Sequence, residues 1–587
     1  MIGSALILKV LLCFLLALGL IGYANYLINV LQINLWLMPS IIISTIAAIV
    51  YIAGLVNIIP LAEYSFILLG IVLLIYYRKR MSFSPLKGNI VPGIMVLLLF
   101  VYVLWYNAGA IYPDGDTLNH WAWIVRSMVE DDRLPNFTNR IVYQSYPPAT
   151  ACWTYFGLKL IGYSESKALI LQNLAIICYA STLFSFNKKR DIIGDVIVFL
   201  AMIPFVRDFD GLKVDIILAA ATVAGFVVVS QIYKTSKQLF LLLIPFVITV
   251  AMIKNSGVLL AVYIIILAGI ALSKNESKRV ACKYCFSLGG ITFGAWYLWQ
   301  RHINMVYIAP TQSRHSMSLD YTESVIESRD SEYMLEIAKN FFHKWFTFNN
   351  SHEWLLFVVF IILSAIVVWK AKDRKTVLTV LLCFLIYYFV YKIGVLGVYL
   401  VNMPGEVLHM PSYERYHFTF SLIMIGVIVW IFFEYFYNSD VVTRTVKYCS
   451  GTVVAISVIF IAYCDQKDMF TRPDYAYGGT HRFMETLIKD PTNGLAYDDC
   501  VLGYHHDATN IVEDYVIYTT NNWASLGTDD PERVREALTT NEHGFDKVVV
   551  LADDEDVERV IRECGYGDSL ESGVIELEKA DKEEIDE

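Results

Sequence analysis

The chain has 587 residues, 56% apolar and only 17% charged, and its apolar residues recur in runs near the ~20 that cross a bilayer. That composition points away from a soluble enzyme and toward a polytopic membrane protein, and no GxxxxGK(S/T) phosphate loop supports hydrolysis of a cytoplasmic nucleotide. The net charge of −10 is unevenly placed: residues 465–587 hold 31 acidic against 11 basic side chains, which leaves the preceding 464 residues basic by ten.

Candidate spans lie near residues 5–30, 38–59, 61–77, 90–108, 166–186, 191–206, 212–232, 238–252, 257–273, 280–299, 354–370, 377–399, 416–436 and 446–464, about 14 in all. The first run exceeds the ~7 to 15 apolar residues of a signal peptide and no small-residue cleavage site follows it, so it reads as a retained span. The ten cysteines add little. The pair in "CKYC", Cys282 and Cys285, has no second pair or histidine set nearby and reads as apolar packing rather than a zinc site.

Positive charges mark cytoplasmic loops, and they fall in "YRKRMSFSPLK" (77–87), "NKKRD" (187–191), "KTSK" (234–237), "SKNESKRVACK" (273–283), "KAKDRK" (370–375) and "RTVK" (444–447). Alternation of spans then puts "PPATACWTYFGLKLIG" (147–162) at the outer interface rather than across the membrane. It also puts "RDFDGLKVD" (207–215), "KNSG" (254–257), residues 300–353 and "NMPGEVLHMPSYERYHF" (402–418) on the outer side, together with the acidic tail. Most of the unusual polar groups therefore share one face.

The stretch "YPDGDTLNHW" (112–121) follows the fourth candidate span. Leu118, Trp121, Ile124 and Val125 fall on one helical face, as in an amphipathic helix lying in the interface. Asp114 and Asp116 would then sit at the boundary, where partial desolvation raises a carboxylate's pKa and suits it to general-base work on a sugar hydroxyl. "PDGD" also reads as a turn, with Asp116 as a helix N-cap. His120 reads as a second base or a hydrogen-bonded interfacial group, and Trp121 and Trp123 as an aromatic belt or a sugar-stacking surface. Lys254 and Arg415 lie at outer span ends, where they either snorkel or hold a lipid phosphate. After residue 465, "DPERVREALTT", "FDKVVVLADD", "EDVERVIREC" and "GVIELEK" alternate β-branched and helix-like runs, as in a small α/β domain, and "KADKEEIDE" reads as disordered.

In order and sidedness these segments resemble the GT-C superfamily of integral-membrane glycosyltransferases, in the manner of its dolichyl-phosphate-mannose-dependent members. "GDTLNHWAWIVRSMVEDDRLPN" resembles its acidic residue followed by a juxtamembrane helix, and "YQSYPPATACWTYFGLKLIGYSE" (143–165), with Tyr146, its YPP segment. "DGLKVDIILAAATVAG" (210–225) is similar to its span opened by an acid, here Asp215, "KNSG" to its Lys-x-x-Gly, and "YERYHF" (413–418) to its Glu-Arg-Tyr. The resemblance covers roughly residues 90–436. It implies a polyprenyl-phosphate-linked sugar donor, a glycan, cell-wall polymer, lipid or protein acceptor, and Asp116 as base with Asp114 as alternative. Lys254 and Arg415 would hold the departing phosphate, Glu414 would orient Arg415, and Asp215, His120 and Tyr146 would line or support the cavity. A divalent metal stays open, and no nucleic acid is involved. Thr117 stands where many relatives carry a second acid, and three spans precede the usual first one.

The expected fold is an all-α, GT-C-like transmembrane bundle with a small C-terminal α/β domain. Residues 1–89 form extra N-terminal spans, residues 90–464 the catalytic region with an outer loop at 109–165, and residues 465–587 an extracytoplasmic domain. The expected location is a plasma membrane. Competing readings are a polysaccharide polymerase or ligase and a transporter or flippase of lipid-linked sugar. Transporters place charges at the bilayer midplane and show repeats, whereas this sequence shows no internal repeat and its charges cluster at span ends.

Overall fold

The computed structural model describes residues 2–136, 141, 143–206, 211–232, 241–307, 319–347, 351–370, 374–401, 403, 407–438, 451, 478–489, 495–496, 498–506, 510–522, 524–552, 554–567 and 573–577. Three helices open the chain: α1 (Ile2–Asn25), α2 (Met38–Gly54) and α3 (Ile59–Tyr77). Then come α4 (Ile90–Tyr106), α5 (Trp123–Asp131), α6 (Ala149–Ile161), α7 (Glu165–Ala180), α8 (Ile192–Met202), α9 (Asp215–Ile232), α10 (Leu243–Ala251) and α11 (Gly257–Asn275). The bundle continues with α12 (Lys278–Val306), α13 (Leu319–Glu327), α14 (Ser331–Phe346), α15 (Ser351–Lys370), α16 (Arg374–Val401) and α17 (Tyr413–Ile431). Polar residues between apolar runs start several of these helices: Ser164, Asp191, Ser277 and Asp330 each accept a backbone N–H of the following turn.

Among the described residues, seven helices are long and apolar enough to cross a membrane, and four shorter apolar helices accompany them. Helix α9 is apolar on every side and lies in the middle, with Leu218, Ala219, Ala220, Ala221, Val223, Ala224 and Val227 all buried, flanked by α7, α11 and α17. Helices α3 and α4 instead expose Leu68, Leu69, Val72, Leu97, Leu98 and Val101. Apolar faces of that extent are stable against lipid tails and not against water. The chain is an integral membrane protein.

Two candidate spans are shorter than the sequence suggests. Helix α10 has nine residues, about 13 Å, because the chain turns at 252–256 before α11 starts. Helix α8 has eleven. Helix α6, with 13 residues and so about 20 Å, is likewise shorter than the ~30 Å hydrocarbon core. The candidate span at 446–464, apart from Gly451, lies outside the described residues, as does the "KADKEEIDE" end.

The C-terminal region forms an α/β unit: α18 (Gly478–Lys489), β1 (Val501–Tyr504), α19 (Asn510–Thr520), β2 (Leu526–Thr528), α20 (Pro531–Thr539), β3 (Lys547–Val550), α21 (Glu555–Glu563) and β4 (Val574–Glu576). Its sheet has the order β2-β1-β3-β4, with β1 parallel to both neighbours and β4 antiparallel to β3. Val501, Val548, Val549, Val557 and Ile561 close its own core. The unit sits on the residues that follow α4, and this contact overturns the expectation of an amphipathic helix lying in the lipid interface. Leu118, Trp121, Ile124 and Val125 are buried as one face, but Trp123, Arg126 and Met128 are buried too, since α6 packs beneath and α19 above.

Candidate functional site

The turn "PDGDT" is organised by Asp114, not Asp116. The Asp114 carboxylate accepts the Thr117 backbone N–H at 3.0 Å and the Thr117 hydroxyl at 3.3 Å, and pairs with Lys213 Nζ at 3.3 Å. A π-helical turn, Thr117–Ala122, then leads into α5. The expected N-cap role of Asp116 is thus filled by Asp114, which leaves Asp116 to other partners. The buried Thr117 hydroxyl in turn accepts the Leu212 N–H at 3.3 Å, stitching the turn to the segment before α9.

Asp116 meets Arg415 NH1 at 2.5 Å, and Arg415 Nε lies 3.2 Å from Asp215 Oδ2. The other Asp215 oxygen binds Lys254 Nζ at 2.7 Å. Residues from four places in the chain thereby join in one row: Asp116, Arg415, Asp215, Lys254. Asp215 is the first residue of α9 and Arg415 lies in the first turn of α17, while Lys254 sits in the turn before α11. The Lys254 turn is closed by an N–H of Gly257 donating to the Lys254 carbonyl at 2.7 Å. A Cβ on Gly257 would lie 2.0 Å from the Val250 carbonyl, so the turn tolerates only glycine there. The YPP segment braces the same turn, with the Ala149 N–H donating to the Met252 carbonyl at 2.8 Å. Lys254 also rests 4.2 Å over the Tyr416 ring.

Three of the four, Asp116, Asp215 and Arg415, line a cavity of about 480 Å³ together with Lys213, Lys344 and Glu414, with Gln172, Ile176 and Phe418 on its walls, whereas Lys254 reaches the row through Asp215 and is not among the lining residues. The cavity's size is that of a small-molecule site. The Asp116 carboxyl is shifted opposite to the sequence expectation. Burial pushes it upward, but the Arg415 guanidinium outweighs this by charge and hydrogen bond, with His120 and Lys213 adding to it, and holds Asp116 below its usual range. It is ionised at neutral pH and, while Arg415 holds it, a weak base.

No protein-family model matches the chain, and no curated protein matches it. Among solved structures the chain is similar to the crystal structure of ArnT from Cupriavidus metallidurans bound to undecaprenyl phosphate, at 12% identity and a TM-score of 0.42, over 81% of this chain and 95% of that one. It is also similar to the same protein in the apo state, at 10% identity and a TM-score of 0.35, over 80% and 94% of the respective chains.

The remaining predicted residues fall around this row. His120 Nε2 lies 3.7 Å from Asp116 Oδ1, and its ring meets Tyr143 edge-on at 3.6 Å. Tyr146 stacks on Trp121 at 4.9 Å. Both tryptophans are buried by protein, Trp123 against Tyr518 of α19, so neither forms a lipid-facing belt. Glu414 faces the cavity, whereas Arg415 takes its orientation from Asp116 and Asp215.

Sequence reasoning missed Lys213, Lys344 and Gln172, which carry no motif and enter through the fold. It also missed a buried cluster in which Lys392 contacts both Glu353 and His417, with the Tyr388 hydroxyl donating to Glu353 at 2.6 Å. A lysine inside the apolar run 377–399 was a visible signal for it. Among the described residues, Glu165, His481 and Glu485 have the spacing of a metal-ligand set, with one ligand atom from each within 4.8 Å of the others.

Proposed function

We propose that the chain is a membrane glycosyltransferase that moves a sugar from a polyprenyl-phosphate carrier to an acceptor hydroxyl at the outer face of the membrane. The observation that carries the reading is the row Asp116–Arg415–Asp215–Lys254, whose first three members line a cavity of about 480 Å³ at the ends of apolar helices. Fixed cations beside a carboxylate on a cavity wall support a site for a lipid phosphate and its sugar. The order of the sequence motifs supports the same reading.

Asp116 and Arg415 form an ion pair. A phosphate in the cavity that binds Arg415 competes with Asp116 for the guanidinium, and so frees the carboxylate when the donor is in place. The acceptor oxygen then attacks the anomeric carbon and gives its proton to Asp116. The bond from that carbon to the phosphate oxygen breaks, and its electron pair leaves on the polyprenyl phosphate, held by Arg415, with Lys254 adding positive charge from across Asp215. Asp215 keeps the two cations together, and Asp114 fixes the turn.

The basic loops at the other end, where Lys188 pairs with Glu434 beyond α17, support the outer orientation of this end. The test is release of free polyprenyl phosphate from a panel of polyprenyl-phosphate sugars by the full-length protein in nanodiscs, beside mass spectrometry of surface glycans with and without the protein. Sugar-dependent release and a missing glycan increment would support the reading. Movement of the intact lipid-linked sugar across vesicles with no covalent product would replace it with transport.

A further inference from the structure

We propose that Asp514, on α19 of the C-terminal unit, is a positioning residue that clamps the turn carrying Asp116. The proposal rests on the glycosyltransferase reading only for its kinetic readout.

The Asn119 side-chain amide donates to Asp514 Oδ1 at 2.8 Å. A Cβ on Gly115 would lie 2.4 Å from Asp514 Oδ2, so α19 presses directly on the backbone between Asp114 and Asp116, and a side chain there would collide with it. Contacts on either side make this grip continuous. The Tyr515 hydroxyl donates to the Tyr112 carbonyl at 2.9 Å, and Arg126 NH1 donates to the Tyr518 carbonyl at 2.5 Å. His481 on α18 meets Glu165 at 2.6 Å, while the other Glu165 oxygen accepts the Tyr112 N–H at 2.6 Å. Residues 112–126 are thus held at Tyr112, Gly115, Asn119 and Arg126 by an element nearly 400 residues away in sequence.

Asp514 is the part of that grip nearest the chemistry. The turn lies between Asp514 on one side and Arg415 on the other, and a reacting carboxylate displaced by about 1 Å loses on the order of 10²-fold in rate. The charge matters as well as the contact. Burial raises the Asp514 carboxyl, its hydrogen bond from Asn119 opposes this, and Glu513, Asp114 and Asp116 raise it further. A negative Asp514 correspondingly resists the pull of Arg415, His120 and Lys213 on Asp116, in the same sense as Asp114.

The experiment uses the full-length protein in nanodiscs with Asp514→Ala, Asp514→Asn and Gly115→Ala. Hydrogen–deuterium exchange of residues 110–122 needs no activity. It should accelerate in Asp514→Ala and Gly115→Ala and stay near wild type in Asp514→Asn, which still accepts from Asn119. In the transfer assay, Asp514→Ala should lower kcat by about tenfold or more with donor KM changed by less than roughly threefold. Asp514→Asn should restore kcat and move the acid limb of the pH profile downward, because a negative neighbour of Asp116 is gone. Wild-type exchange and wild-type kcat in Asp514→Ala would overturn the proposal, as would Asp514→Asn behaving like Asp514→Ala in both. A wild-type protein that transfers no sugar defeats the functional reading instead, and the exchange data still decide the role of Asp514.

Discussion

Helix α17 starts with two charge clusters on opposite sides. Arg415 faces Asp116 and Asp215 along the cavity, and His417, two residues on, faces Lys392 and Glu353. Their chemistry is alike, but their access is not. The Lys392 side chain is 0% exposed and Glu353 9%, against 26% for Arg415 and 45% for Asp116. An ion pair that water reaches can exchange a partner for an incoming anion, whereas a sealed one cannot without exposing an unpaired charge to a low-dielectric interior. Accessibility, more than charge, thus makes the first cluster a candidate site and the second a brace between α15, α16 and α17.

The largest effect that would sharpen this contrast is on the open cluster. Asp116→Asn should cut transfer by about 10³-fold, within the ~10²–10⁴ that a positioned base supplies, and leave thermal unfolding near wild type. Undiminished transfer would remove Asp116 from the mechanism. Arg415→Gln follows at about 10²–10³-fold, the usual loss of one charge-stabilising donor, and it also carries a pH signature. Asp116 is held below its usual range by Arg415, so base activity is present above that lowered value and is lost as pH falls through it. Without the guanidinium, burial dominates and the acid limb of kcat/KM should move to higher pH. An unmoved limb would show that another group titrates.

The sealed cluster should respond in stability instead. Lys392→Met leaves Glu353 buried without its main partner and should cost about 3–5 kcal/mol, read from thermal unfolding in detergent. The double variant Lys392→Met with Glu353→Gln should recover most of that loss, and transfer per folded molecule should survive in both. A Lys392→Met protein that is stable but inactive would break the comparison, since the cluster would then belong to the site.

How much of this was legible differs between the two clusters for a physical reason. Asp116, Asp215, Lys254 and Arg415 each stand at the end of an apolar run, where a charge is conspicuous and the parity of the spans puts them on one face. Glu353 and His417 stand at run ends as well, but only Lys392, inside a run, signals that they are buried together. The direction of the Asp116 shift was not legible, because desolvation is read from position but the opposing guanidinium comes from residue 415, and only the fold brings it within 2.5 Å. Likewise, the 117–131 helix shows one apolar stripe in sequence, yet the cover on its other side comes from α19. The C-terminal unit was readable as α/β from its alternating runs, but its place against the Asp116 turn had no local signal.

The smallest expected effect tests a neighbour rather than a partner. Glu414 precedes Arg415, and adjacent residues on a helix point about 100° apart, so sequence proximity gives it no claim on the guanidinium. Arg415 already has two carboxylates, Asp116 on NH1 and Asp215 on Nε, while Glu414 is exposed at the cavity wall. Glu414→Gln should therefore change kcat by less than about fivefold, since an exposed charge is worth roughly 1 kcal/mol or less. Asp215→Asn, which weakens the hold on both cations, should lower it far more. A difference confined to acceptor KM in Glu414→Gln would place Glu414 on the acceptor side of the cavity, whereas a kcat loss matching Asp215→Asn would mean that the row of four is in truth a row of five.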